Sequence, residues 1–225
     1  MALVDLSVFT SPTMGVPPAL RNNRPRLDTV VKPSTQSQEM VRLGFIRNLC
    51  IHTGTHVDAP CHALTGRREI AQIELDRLVG EAVVLDLGEV AANEAIDRAR
   101  LETVGRDVRA GDIIILYSHW SERRWEYDDY WTESPYLTVE AARWLVSRQP
   151  RAIVFDFFEE YDARFPDFDP IGFKVHREIL GHDVLIVEHV VNLRALPRRG
   201  AQFVAAPLKL DGMDGSPVRA FAMIP

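Results

Sequence analysis

From Arg42 onward, short apolar runs rich in β-branched residues alternate with polar or Gly/Pro punctuation, the pattern of strands separated by turns. Strands are predicted over residues 43–52, 81–90, 112–119, 151–158, 183–191, 202–210 and 218–224. Two of the runs, Ile113-Ile114-Ile115-Leu116 and Val184-Leu185-Ile186-Val187, are continuously apolar, which suits strands covered on both faces. Helical signals are fewer. Thr138 is a good N-cap for Ala141, Ala142, Leu145 and Val146, which fall at helical spacing before Pro150 ends the element. Asp97 caps a shorter helix through Leu101 and Val104, and residues 176–180 start another turn. Strands that alternate irregularly with few helices indicate a mixed α/β or α+β domain rather than a strict βαβ repeat. No internal repeat or low-complexity linker divides the chain, so one domain over 1–225 is expected.

Two stretches stand apart. Residues 10–33 hold Pro12, Pro17, Pro18, Pro25 and Pro33 with little periodicity, so residues 1–40 read as an extended N-terminal arm. Residues 121–136 mix charges with Trp125, Tyr127, Tyr130, Trp131 and Tyr136. They read as an excursion packed on its own domain or a second subunit, or as a lid over a pocket.

Composition narrows the class. With 46% hydrophobic and 26% charged residues in 225, the chain is a folded globular protein large enough for a full core. A net charge of −6 offers no basic field, so nucleic acid is not an expected partner. No apolar stretch approaches the ~18 residues of a membrane span, and the start Met-Ala-Leu-Val-Asp-Leu lacks a secretion signal, so a cytoplasmic protein is expected. Cys50 and Cys61 then read as free thiols.

The most informative segment is His52-Thr53-Gly54-Thr55-His56-Val57-Asp58-Ala59-Pro60-Cys61-His62, where three of the seven histidines sit beside a carboxylate. Imidazole nitrogen with carboxylate oxygen is the ligand set of borderline divalent metals. A fully extended chain would separate residues 52 and 56 by ~13 Å, so a shared ion requires a bend, which Gly54 permits without Cβ strain. Asp58 then follows His56 on the same side of an extended chain, and His62 falls on that side again. Gly54, the β-branched Thr53, Thr55 and Val57, and Pro60 argue against a helix here. A thiol protease reading of Cys61 and His62 fails because neighbours in an extended chain point apart. Ligation by His52, His56 and Asp58 alone leaves open positions, as a catalytic site needs. A second ligand source lies at 176–189, where Glu188 sits inside a strongly apolar strand. Taken alone, His176 and Glu188 fit ligands and a salt-bridged pair equally.

At this point the chain resembles a known family. Residues 52–62 match the His-x-Gly-Thr-His-x-Asp-x-Pro-x-His signature of the cyclase-like metal-dependent hydrolases, which include bacterial kynurenine formamidase and isatin hydrolase. The likeness extends to Asp5-Leu6-Ser7, Gly111-Asp112, His176-Arg177, Glu188, Asn192-Leu193, Pro207-Leu208-Lys209 and Gly215-Ser216-Pro217-Val218-Arg219. It implies a compact, strand-rich α/β fold of the swivelling β/β/α type, with a mixed sheet and few helices. It also implies a homodimer or higher homo-oligomer whose partner helps close the site. By position, His52, His56 and Asp58 would bind one divalent ion, Asp58 would bridge to a second held by His176 and Glu188, and His62 would be the acid/base residue. The ion would be Zn²⁺ or Mn²⁺, one or two per subunit.

The departures concern substrate. Relatives of the kynurenine formamidase type carry Trp-Pro-Gly-Asp in the arm, whereas this arm reads Pro17-Pro18-Ala19-Leu20-Arg21-Asn22-Asn23-Arg24 without Trp. Ser118-His119-Trp120 stands where many relatives show Thr-Gly, and Asp156-Phe157-Phe158-Glu159-Glu160-Tyr161-Asp162 is bulkier than the small turn common there.

The expected reaction is hydrolysis of a carbon–nitrogen bond in a small amide, formamide or cyclic amide. A metal lowers the pKa of bound water toward ~7, and His62 would take a proton from water and return it to the leaving nitrogen. Within the same centre, a lactone hydrolase or a cyclase is the alternative. An iron oxygenase using His56, Asp58 and His176 as a facial triad leaves His52, His62 and Glu188 unexplained, and a non-catalytic metal-stabilised binding protein would need full coordination. Arg21, Arg24, Arg67 and Arg68 could hold a substrate carboxylate. His119 and Trp120 could line the pocket or simply pack, and His182 and His189 read as ordinary surface or hydrogen-bonded residues.

Overall fold

The computed structural model describes residues 1–225 apart from Arg21, Asn23 and Gln38. Among these, the strands are β1 (Ala2–Asp5), β2 (Arg26–Pro33), β3 (Met40–Arg47), β4 (His56–Asp58), β5 (Val79–Asp86), β6 (Ala95–Ile96), β7 (Ile113–Tyr117), β8 (Tyr136–Leu137), β9 (Ala152–Phe155), β10 (Leu185–Glu188), β11 (Ala201–Val204), β12 (Gly215–Pro217) and β13 (Phe221–Ile224). The α-helices are α1 (Arg98–Val104), α2 (Trp120–Arg124), α3 (Val139–Ser147) and α4 (Lys174–Gly181). Nine strands form one mixed sheet in the order β1-β13-β11-β5-β7-β9-β10-β4-β12. Its centre, β5-β7-β9-β10, is parallel, and the flanking strands pair antiparallel. This is the strand-rich α/β architecture with few helices that the pattern predicts.

The continuous apolar runs explain the layering. Period-2 alternation sends Ile114, Leu116, Ile153, Phe155 and Ile186 into the core beneath the helices, and Ile113, Ile115, Val154, Leu185 and Val187 into a second core on the opposite face. Both faces are covered, so neither needs polar residues. The predicted caps hold: Asp97 accepts from Arg100 N at 2.9 Å and the Thr138 hydroxyl from Ala141 N at 3.2 Å. No helix among the described residues is long and apolar enough to cross a membrane.

Two expectations are corrected, those over 43–52 and 1–40. The strand expected over 43–52 ends at Arg47 and pairs only with β2, in a hairpin outside the main sheet. Asn48 takes a left-handed φ of 54°, so the chain turns there instead of running extended to His52. The arm over 1–40 is divided, because Ala2–Asp5 pairs with β13 at the sheet edge. The excursion at 121–136 meets the first of its expected alternatives. Tyr130 and Trp131 are fully buried in the helix-side core, so the stretch packs on its own domain.

Candidate metal centre and its pocket

The site forms where parallel strands β9 and β10 end and antiparallel β4 begins, the edge at which α/β sheets leave room for ligands. Strand register places His56 opposite Glu188 and Asp58 opposite Ile186. Alternation then puts His56, Asp58 and Glu188 on the helix-bearing face, toward His176 on α4, while Val57 and Val187 enter the opposite core. Gly54 supplies the predicted bend, with φ of 74°. The bend brings the His52 and His56 ring centres to 5.2 Å. A Cβ on Gly215 would stand 2.7 Å from Val57 O and 2.9 Å from His52 Cε1, so only glycine lets β12 approach β4 this closely.

All six residues singled out in the sequence come together. His52 Nδ1 lies 2.7 Å from Asp58 Oδ1, and His56 Nε2 lies 3.3 Å from the same oxygen and 3.0 Å from Glu188 Oε2. His176 Nε2 is 3.5 Å from Asp58 Oδ2 and 3.9 Å from Glu188 Oε1. His62 stacks on His52 at 3.9 Å between ring centres and stands 5.6 Å from His176. His56 Nδ1 is held 2.8 Å from Gly54 O. As the donor of that bond, Nδ1 leaves Nε2 as the nitrogen facing the carboxylates.

Charge is crowded here. Asp58, Glu159, Glu160 and Glu188 are all buried, and a buried carboxylate is costly unless compensated. Burial disfavours the imidazolium form of His56, but Asp58 and Glu188 outweigh it and hold its pKa well above the usual imidazole range. Burial likewise works against the Asp58 carboxylate, yet His56, His62 and His52 hold its pKa well below the ordinary value. For Glu159, burial and the neighbouring Glu188 charge push the pKa well up. Five ligand-type atoms converge without a hydrogen-bond partner: His56 Nε2, Asp58 Oδ2, both Glu159 carboxyl oxygens and Glu188 Oε1. Orphaned buried polar atoms are uncommon in folded proteins. A divalent cation would satisfy them and replace the protons that otherwise balance the carboxylates, so the residues present fit such an ion.

The sequence reading missed four members of the constellation. Asp214 Oδ2 accepts from both His62 Nδ1 at 2.9 Å and His52 Nε2 at 3.0 Å, and these two bonds hold its pKa well below the carboxylate range. Glu160 Oε1 accepts from His176 N at 2.7 Å and stands 3.3 Å from its Nδ1. Glu159 Oε1 lies 3.4 Å from that same nitrogen. His189, read as ordinary, is fully buried in a cage with Trp131 and Tyr130, whose hydroxyl is 2.9 Å from Nδ1. Burial lowers its pKa to about 3, so the ring is neutral. For Glu159 and Glu160, the only signal available was the unusual bulk of the 156–162 stretch.

Beside the cluster lies a cavity of about 210 Å³ lined by Leu20, Trp131, Phe158, Phe168 and Phe173, with His52, His62, His176 and Glu188 in its wall. The aromatic wall missing from the N-terminal arm is thus supplied by the 121–136 excursion and residues 158–173. The described arginines and the remaining histidines do not join it. Arg24 and Arg67 are exposed, Arg68 pairs with Glu74 and Asp183, and Arg21 lies outside the described residues. His119 is held by Asp86 at 2.9 Å and stacked on Tyr117, Trp120 is packed in the core, and His182 is exposed.

Comparisons with known proteins agree with the fold. The family model described as "Putative cyclase" matches residues 4–160. A kynurenine formamidase of Bacillus mycoides (strain KBAB4) is 28% identical over 190 residues, covering 83% of this chain and 82% of the relative. An isatin hydrolase of Roseibium aggregatum is 24% identical over 231 residues, covering 96% and 88%. The crystal structure of an isatin hydrolase bound to the product analogue thioisatinate superposes with a TM-score of 0.84 at 20% identity, covering 99% of this chain and 92% of that one. With its model spanning most of the residues and the same fold in a solved relative, the chain belongs to the Cyclase family.

Proposed function

We propose that this protein is a metal-dependent hydrolase that opens a carbon–nitrogen bond in a small amide, formamide or cyclic amide. The observation that carries the reading is the convergence of buried His56 Nε2, Asp58 Oδ2 and Glu188 Oε1, none with a hydrogen-bond partner, beside an apolar cavity whose wall holds Glu188, His52, His176 and His62. Two relatives are named as a kynurenine formamidase and an isatin hydrolase. His52, His56 and Asp58 would hold one divalent ion, Zn²⁺ or Mn²⁺, and Asp58, His176 and Glu188 a second. When bound, such an ion supplies Lewis acidity and lowers the pKa of water it coordinates toward ~7.

The chain's own residues do the rest. His62 donates from Nδ1 to Asp214, which leaves Nε2 as the basic nitrogen that accepts a proton from water and delivers it to the leaving amine. Asp214 holds the ring in that tautomer and stabilises the imidazolium that forms. Trp131, Phe158, Phe168 and Phe173 bind the apolar part of the substrate and exclude bulk water.

The hairpin β2–β3 supports a homodimer or higher homo-oligomer. Val30, Val31, Met40, Val41, Phe45 and Ile46 are exposed along it, and a lone two-stranded ribbon is only marginally stable in water. Free Cys50 and Cys61 suit a reducing cytoplasm. The reading is tested by metal analysis of the purified protein and turnover of N-formyl anilines, isatin, cyclic imides and lactones before and after chelation. Metal-dependent amide opening, undiminished without oxygen, is expected. Failure on every amide overturns the proposal, faster lactone opening reassigns the substrate, and a requirement for oxygen returns the oxygenase reading.

A further inference from the structure

Glu159 has no role in the ligand set proposed above. Its side chain is fully buried, and neither carboxyl oxygen has a hydrogen-bond partner. Its neighbour Glu160 is differently placed, because Glu160 Oε1 is committed to the backbone N–H of His176 at the start of α4. Glu159 instead lies with His176 and Glu188, one ligand-type atom from each within 4.8 Å of the others. Beyond His176 stands Asp58, 3.5 Å from Nε2. A carboxylate beside other carboxylates in a dry interior is costly without a compensating positive charge. No arginine or lysine approaches this cluster among the ion pairs of the described residues, so histidine is the only compensating side chain there.

We propose that Glu159 is a ligand of the second ion, joining Asp58, Glu188 and His176 in an oxygen-rich cation site. The inference rests on the metal-centre reading and extends it. Three carboxylates and one imidazole shift the preference of that position toward a harder ion: carboxylate oxygen suits Mn²⁺ and Mg²⁺, whereas nitrogen-rich sites favour Zn²⁺. Their charge also explains why a second divalent ion would be retained, since one ion neutralises only half of Asp58, Glu159, Glu160 and Glu188.

The test uses the full chain, stripped with a chelator and titrated with Mn²⁺, with retained ions counted by elemental analysis. Wild type is expected to retain two ions, and Glu159→Gln to retain one, or to bind the second at least tenfold more weakly. In Mn²⁺/Zn²⁺ competition, the variant should take up a larger share of Zn²⁺, and its thermal midpoint should rise less on adding Mn²⁺. Should Glu159→Gln fail to fold, Glu159→Asp, which keeps the charge on a shorter stem, should weaken the second ion alone. Two ions bound with unchanged affinity and unchanged selectivity by either variant overturn the proposal, as does a wild type that takes only one. A wild type that takes none overturns the metal-centre reading itself.

Discussion

Asp214→Asn tests the proposed acid–base pair most directly. The carboxylate accepts from His62 Nδ1 at 2.9 Å and from His52 Nε2 at 3.0 Å, and its side chain is 42% exposed. A hydrogen bond to a charged group contributes about 1.5–3 kcal/mol, and partial exposure places this one at the low end. With about 1.4 kcal/mol per factor of ten, loss of the charge should lower kcat by about 10- to 30-fold. KM should hold, since Asp214 is not among the cavity-lining residues. Removing the base itself, His62→Ala, should cost ~10²- to 10⁴-fold. Because Asp214 is assigned to act through His62, the two losses must not multiply. The double variant should be no slower than His62→Ala alone. The assay is steady-state amide hydrolysis at saturating metal, with bound ion measured in parallel because Asp214 also touches His52. A kcat within twofold of wild type refutes the reasoning. So does an Asp214→Asn penalty that persists undiminished in the His62→Ala background, which would place Asp214 outside the proton path.

Three further outcomes follow from the geometry. Gly54→Ala forces a Cβ onto a residue at φ of 74° and brings it to 3.0 Å from Met14 Cε; it should cost about 1–2 kcal/mol, lower the thermal midpoint by several degrees and weaken metal uptake, and an unchanged midpoint with full uptake would contradict it. Buried Asp156 accepts from Ser118 N at 2.8 Å, Ser118 Oγ at 2.7 Å and Trp120 N at 3.1 Å. Asp156→Asn turns one of those contacts donor against donor and should cost about 1–3 kcal/mol in denaturant unfolding. Burial raises the Asp156 pKa to about 6, so this group's contribution to stability grows as pH falls from neutral through that value and levels off near the unfolded pKa; the Asn variant should lack this component. Val31→Asp with Phe45→Asp charges the exposed hairpin and should reduce the solution mass by light scattering without altering the circular dichroism; an unchanged mass would exclude the hairpin as the interface.

Much of this protein is written locally. The apolar runs at 113–116 and 184–187 declared strands covered on both faces because burial on each side leaves no place for a polar residue. Asp97 and Thr138 marked helix starts because a cap bonds to an N–H three residues away. The cluster His52, His56, Asp58 and His62 was legible because its members are chain neighbours and Gly54 announces the bend. Tertiary structure alone decided the rest. Asp214 reaches His62 across 152 residues through the β4–β12 register, and Glu159 meets His176 and Glu188 only because β9 ends beside β10. The pattern at 43–52 describes a sheet strand and a free hairpin equally well. Hydrophobic periodicity reports which face of an element is buried, but not which strand lies beside it or in what register, and those two choices place the site's carboxylates against its histidines.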